Sequence, residues 1–154
     1  MRKILLLTIG LAVLFSCNST RTVTYKAISV YDSVAHYKKF YIDVPKNGKL
    51  KKEKDYTGDF HTEYRIIYPD SSVVYITNDT WNGSRLNYEN LMQIGVDSYS
   101  KEHLYDTLKY EGVQNDGLYW KDYVLGEIVV GYVNCPKRKK NEYDNVINTL
   151  RSEK

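Results

Sequence analysis

The chain has 154 residues, 42% of them apolar and 27% charged, with a formal charge of +3. That length suits one domain and is short for two ordinary ones. The charge excess is too small for a nucleic-acid footprint, so no nucleic-acid partner is expected.

Arg2 and Lys3 precede an apolar run, residues 4–15, interrupted only by Thr8 and Gly10. The run is about a dozen residues long, whereas a helix needs roughly 20 to cross a bilayer, so it reads as a signal peptide. Leu14-Phe15-Ser16-Cys17 resembles the lipobox of bacterial lipoproteins, in which the cysteine is diacylated and becomes the new N-terminus. The resemblance implies a signal peptide over 1–16, lipidation at Cys17, a short tether over 17–22 and a single α+β domain over 23–154. An ordinary secretory signal with Cys17 near the cut is the alternative. Loss of Arg2 and Lys3 would bring the domain close to neutrality, and acylation of Cys17 would leave Cys135 as its one thiol. The domain would then stand without a disulfide, although an exported chain could form one.

The leader and the Tyr-, Asn- and Lys-rich composition resemble those of Bacteroidota lipoproteins, in which an acidic cluster after the acylated cysteine directs export to the cell surface. Residues 18–22 (NSTRT) carry no such cluster, which leads to the expectation of an anchor facing the periplasm.

All 16 tyrosines follow the leader, as suits half-buried strands and amphipathic surfaces. Residues 23–30 and 38–44 read as the first two strands, the second stopped by Pro45, with a turn or short helix over 31–37. Residues 45–55, with Asn47-Gly48 and a lysine run, read as a loop. Residues 60–68 and 72–78 form a predicted hairpin around Pro69-Asp70-Ser71. In the irregular stretch 78–85, Trp81 either lies in an exposed loop or folds back to cap the core, and capping is the expectation. A short helix over 87–94 is predicted with Asn87 as N-cap, Leu91 and Ile94 on one face and Gly95 as its stop. Three further strands follow at 107–112, 118–124 and 127–134, the last the most apolar and expected to be central. Asn141 is expected to cap a final helix, 142–151, whose Tyr143, Val146, Ile147 and Leu150 share one face. The expected fold is α+β: an antiparallel sheet of about six strands, with a short middle helix and a C-terminal amphipathic helix packed on it.

Three histidines, His36, His61 and His103, show no metal-binding spacing, and neither metal nor cofactor is expected. Asp59, His61 and Glu63 alternate on one strand face and could hold a metal or orient an imidazole. Ordinary solvent-facing alternation is the preferred reading. Cys135 sits beside the basic run Lys137–Lys140, which could lower its pKa, but a buried core cysteine is the expectation. No catalytic motif is present. Trp81 and Trp120 are the candidate binding residues. Asp32-Ser33-Val34 and Asp106-Thr107-Leu108 resemble the D-[ST]-apolar glycosylation acceptor of exported Bacteroidota proteins.

Residues 40–45 (FYIDVP) and 130–134 (VGYVN), followed by the apolar face of the last helix, Tyr143 to Leu150, resemble in outline the Mog1/PsbP-like fold. Members of that fold do unrelated jobs, so the resemblance implies no activity. The expected function is a lipid-anchored envelope protein acting as a non-catalytic binding or accessory module, with the membrane and a protein of immunity or subunit type as partners. The alternative is a small periplasmic enzyme of hydrolase type.

Overall fold

Strands carry most of the fold and divide between two antiparallel sheets rather than sharing one. The computed structural model describes residues 19–31, 34–54, 61–96 and 107–153, apart from the side chains of 29–31, 34–35 and 54. The elements are β1 (Thr20–Tyr31), β2 (Val34–Pro45), β3 (Lys49–Lys54), β4 (Thr62–Ile67), β5 (Val73–Thr77), α1 (Tyr88–Gln93), β6 (Thr107–Val113), β7 (Tyr119–Leu125), β8 (Ile128–Cys135), a 3-10 turn (Lys137–Lys139), α2 (Lys140–Asn148) and β9 (Arg151–Ser152). The larger sheet has the order β3-β4-β5-β8-β7-β6, and the smaller β1-β2-β9. The α+β class therefore holds, with a short middle helix and a C-terminal helix.

The hairpin β4–β5 pairs antiparallel as its turn sequence predicts, and β8 lies between β5 and β7 as its apolar run predicts. All five residues of β5 and most of β8 are buried, because both faces of the large sheet are covered. On one face, Ile66, Val74, Val130 and Tyr132 pack with Val23, Ile42 and Val44 of the small sheet and Tyr143, Val146 and Ile147 of α2. On the other, Val73, Trp120, Val124, Val129 and Val133 pack beneath Leu91, Leu86 and Val96. The second cover follows from topology: the chain leaving β5 must reach β6 at the far edge, and residues 78–96 lie over the face on the way.

Several local expectations give way. The stretch 31–37 contains no described helix: β1 runs to Tyr31 and β2 begins at Val34, so the two strands pair across nearly their whole lengths. β1 also starts at Thr20, within the expected tether, because Arg21 and Thr22 pair with Val44 and Asp43. The lysine-rich loop contains β3, an edge strand on which lysines discourage further strand addition. Asn141 lies inside α2, which starts at Lys140 with Lys139 in the N-cap position and no side-chain cap. The helix ends at Asn148 rather than 151, since the Thr149 hydroxyl bonds back to the Val146 carbonyl (2.7 Å) and accepts from the Asp43 amide (2.9 Å). Arg151 then pairs with Tyr41 in β9.

Candidate functional site

Asn87 occupies the N-cap position of α1, yet its side chain makes no capping bond. It turns into the sheet instead. Its amide donates to Tyr75 Oη (2.6 Å) and Asp122 Oδ1 (2.7 Å), with longer contacts to the Lys121 and Tyr132 carbonyls, while its oxygen accepts from Asn90 Nδ2 (3.0 Å). The register explains the convergence. Tyr75 lies opposite Gly131, and Gly131 opposite Asp122, across β5, β8 and β7. A Cβ at Gly131 would overlap the Lys121 carbonyl and the Tyr75 hydroxyl, so only glycine lets the Tyr75 ring cross β8. A register shift between Tyr119 and Lys121 irregularly spaces the ladder where the Lys121 carbonyl serves this network.

Glu63 lies beside it, opposite Thr77 on β5. It is nearly buried, accepts from Arg65 Nε and is hydrogen-bonded to Ser84 of the cover. Burial raises its pKa, against the pull of Arg65. Asp122 is fully buried, and desolvation, with the Glu63 charge adding, holds its pKa well above the usual carboxylate range. Two carboxyl groups thus share a polar island within an apolar interface. The sequence held one signal of it: Trp120, Asp122 and Val124 share a strand face, and a carboxylate between two large apolar residues is out of place unless partnered.

The sequence candidates disperse. Trp120 is only 2% exposed and packs among Val73, Leu91 and Val129, so it offers no binding surface. Trp81 does not cap the core. It is 41% exposed, on a turn that Asp79 fixes by accepting from the Trp81 and Asn82 amides (3.1 and 2.9 Å). His61 Nδ1 stands 3.5 Å from Asp79 Oδ2, while Glu63 is buried with Arg65 and Ser84, so the two do not converge. No group of three possible metal ligands occurs among the described residues. Cys135 is buried, and burial pushes its thiol up to about 12, opposite to the lowering that the adjacent basic run suggested. Cys17, Asp59, His103, the dipeptide Asp32-Ser33 and Asp106 lie outside the described residues. Leu91 and Ile94, expected on one face of the helix, part company: Leu91 is buried and Ile94 is exposed.

A cavity of about 380 Å³ opens at the other end of the interface, between Ser19, the turn Pro45-Lys46-Asn47, Tyr68 and the start of α2 at Lys139, Glu142 and Tyr143. The turn is tied down by the Lys46 amide donating to the Ser19 carbonyl (2.7 Å) and Arg21 donating to the Gly48 carbonyl (2.6 Å). Lys139 Nζ pairs with Asp70 (2.8 Å) and lies over the Tyr68 and Tyr143 rings.

Comparison with protein-family models, with curated proteins and with solved structures finds no match to this chain.

Proposed function

We propose that the chain is a lipid-anchored envelope protein, held by Cys17 to a bacterial membrane on its periplasmic side, and that it works as a non-catalytic module binding another protein. One observation supports the binding part. The cover 78–96 exposes Trp81, Tyr88, Met92 and Ile94, half of the large apolar side chains found exposed among the described residues. The same segment is fastened underneath by Asn87, Ser84 and Leu91. Rigid backing beneath exposed aromatic and Met side chains is what a protein-binding surface requires. The leader supports the anchor.

A photo-crosslinking residue placed at Met92 or Ile94, with controls at Tyr37 and Val113 on other surfaces, tests this in the native envelope. The expected result is one reproducible adduct from the cover positions, lost on Trp81→Ala. Equal adducts from all four positions, or none, count against the reading. A hydrolase remains the second reading because His61 and Asp79 stand 3.5 Å apart; it requires activity that His61→Ala abolishes without unfolding the chain.

A further inference from the structure

Among the described residues, β6 ends the large sheet: it pairs with β7, and no second strand takes up its other side. Such an edge leaves a row of backbone N–H and C=O groups that another strand can complete. The other edges are guarded against this. β3 carries four lysines against one glutamate, and β1 carries Arg21 and Lys26 with no acid. The Ile28 carbonyl of β1 also accepts from the Asn78 side-chain amide (3.0 Å), and β9 has only two residues. β6, TLKYEGV, is neutral, and Lys109 and Glu111 stand symmetrically on either side of Tyr110. Its charges are therefore complementary to those of a second β6 running the opposite way.

We infer that two copies of this chain associate through β6, edge to edge and antiparallel, making one continuous sheet across a two-fold axis. Opposite side chains of an antiparallel pair lie on the same face, so the axis stands normal to the sheet and passes between one residue and its own copy. With Tyr110 at the axis, Lys109 lies opposite Glu111 of the second copy and Glu111 opposite Lys109 of the second copy, which gives two cross-strand ion pairs on one face. Within its own chain Glu111 already lies 3.0 Å from Lys109 and 3.4 Å from Lys121, so the pairing closes an alternating cluster of charges. Thr107 comes opposite Val113, both exposed and β-branched. Leu108 comes opposite Gly112, where a Cβ would stand 2.8 Å from Trp120 Nε1, so the leucine enters a position that carries no side chain of its own. Moving the axis to Lys109 or Glu111 sets like charges opposite each other, and moving it to Leu108 or Gly112 matches neither charge with its opposite. The sign pattern thus selects one register. An axis normal to the sheet also leaves both covers on the same side, so the Trp81 surfaces of the two copies point the same way. The association depends neither on the anchor nor on what that surface binds.

The test uses the full-length Cys17→Ser chain in non-ionic detergent, in which the buried Cys135 is the one thiol. Sedimentation velocity over a concentration series should show a monomer–dimer equilibrium, weakened about ten-fold or more by Lys109→Glu and kept by Lys109→Arg. Lys109 is half exposed and outside the core, so its reversal does not threaten folding. Tyr110→Cys sets two thiols opposite each other across the axis, at a separation that a disulfide spans. Mild oxidation should link this variant into dimers, while Lys52→Cys, on the opposite edge of the sheet, and the parent chain stay unlinked. The inference is overturned by a monomer throughout the series, by a dimer that Lys109→Glu leaves unchanged, or by equal linking of the Tyr110→Cys and Lys52→Cys chains. Association through the apolar leader would survive Lys109→Glu and show no preference for position 110, and so counts against it in the same way.

Discussion

Asn87 Nδ2 lies 2.7 Å from Asp122 Oδ1, joining the cover to β7 by a hydrogen bond at the centre of the sheet. The same amide also reaches the Tyr75 hydroxyl at 2.6 Å. One residue therefore partners two buried polar groups that water does not reach.

Asn87→Ala should leave the Tyr75 hydroxyl and Asp122 short of a partner and cost about 2–3 kcal/mol, since an unsatisfied buried polar group costs roughly 1–3 kcal/mol. Chemical denaturation measures it. A loss below about 0.5 kcal/mol would show that the network does not fasten the cover.

The raised pKa of Asp122 sets a pH dependence. Above the unfolded carboxylate pKa of about 3.9, the native state keeps a proton that the unfolded chain has released, so stability falls as pH rises from there toward the folded value. Glu63 acts in the same direction. Asp70 acts oppositely: burial pushes it up, but hydrogen bonds from Lys139 and Ser72 bring it down to about 2, and the stability it contributes is lost as pH falls from about 4 toward 2. A stability profile that declines on both sides of weakly acidic pH is expected. Asp122→Asn, nearly isosteric and without a titrating proton, should flatten the decline on the alkaline side. An unchanged slope between pH 5 and 8 would remove Asp122 as its source.

Cys135 should resist alkylation. Its thiol is buried and pushed up to about 12, so little thiolate exists at pH 8. In the Cys17→Ala chain, labelling by iodoacetamide should be slow in the native state and accelerate at least a hundred-fold in denaturant. Comparable rates would place the thiol in reach of solvent.

Cys17→Ala should abolish acylation and processing at the lipobox, read by the mass of the chain and by metabolic labelling with a fatty acid. Correct cleavage with continued membrane retention would rule out Cys17 as the anchor.

The local signals that served the fold were those a few neighbouring residues can enforce. Pro69 and Asp70 turn the chain between two β-rich runs, and β4 and β5 pair accordingly. Tyr143, Val146 and Ile147 bury one face of α2 because their spacing follows the helical repeat. Lys49–Lys54 could not be read in this way. Its strand exists because β4 offers an edge, with Arg65 opposite Lys51 and within 3.7 Å of Glu53.

By itself, the sequence determined the α+β class, the hairpin, the central place of β8, the burial of Cys135 and the amphipathic last helix. Each depends on periodicity, turn chemistry or apolar content along a short stretch. Only the tertiary structure decided that the strands form two sheets, that Trp120 is enclosed while Trp81 is exposed, that Asn87 serves the sheet rather than its helix, and that Lys46 and Glu142 line one cavity. Those outcomes depend on which residues distant in the chain meet: a side chain's face follows from its own strand, but what covers that face is supplied by another segment.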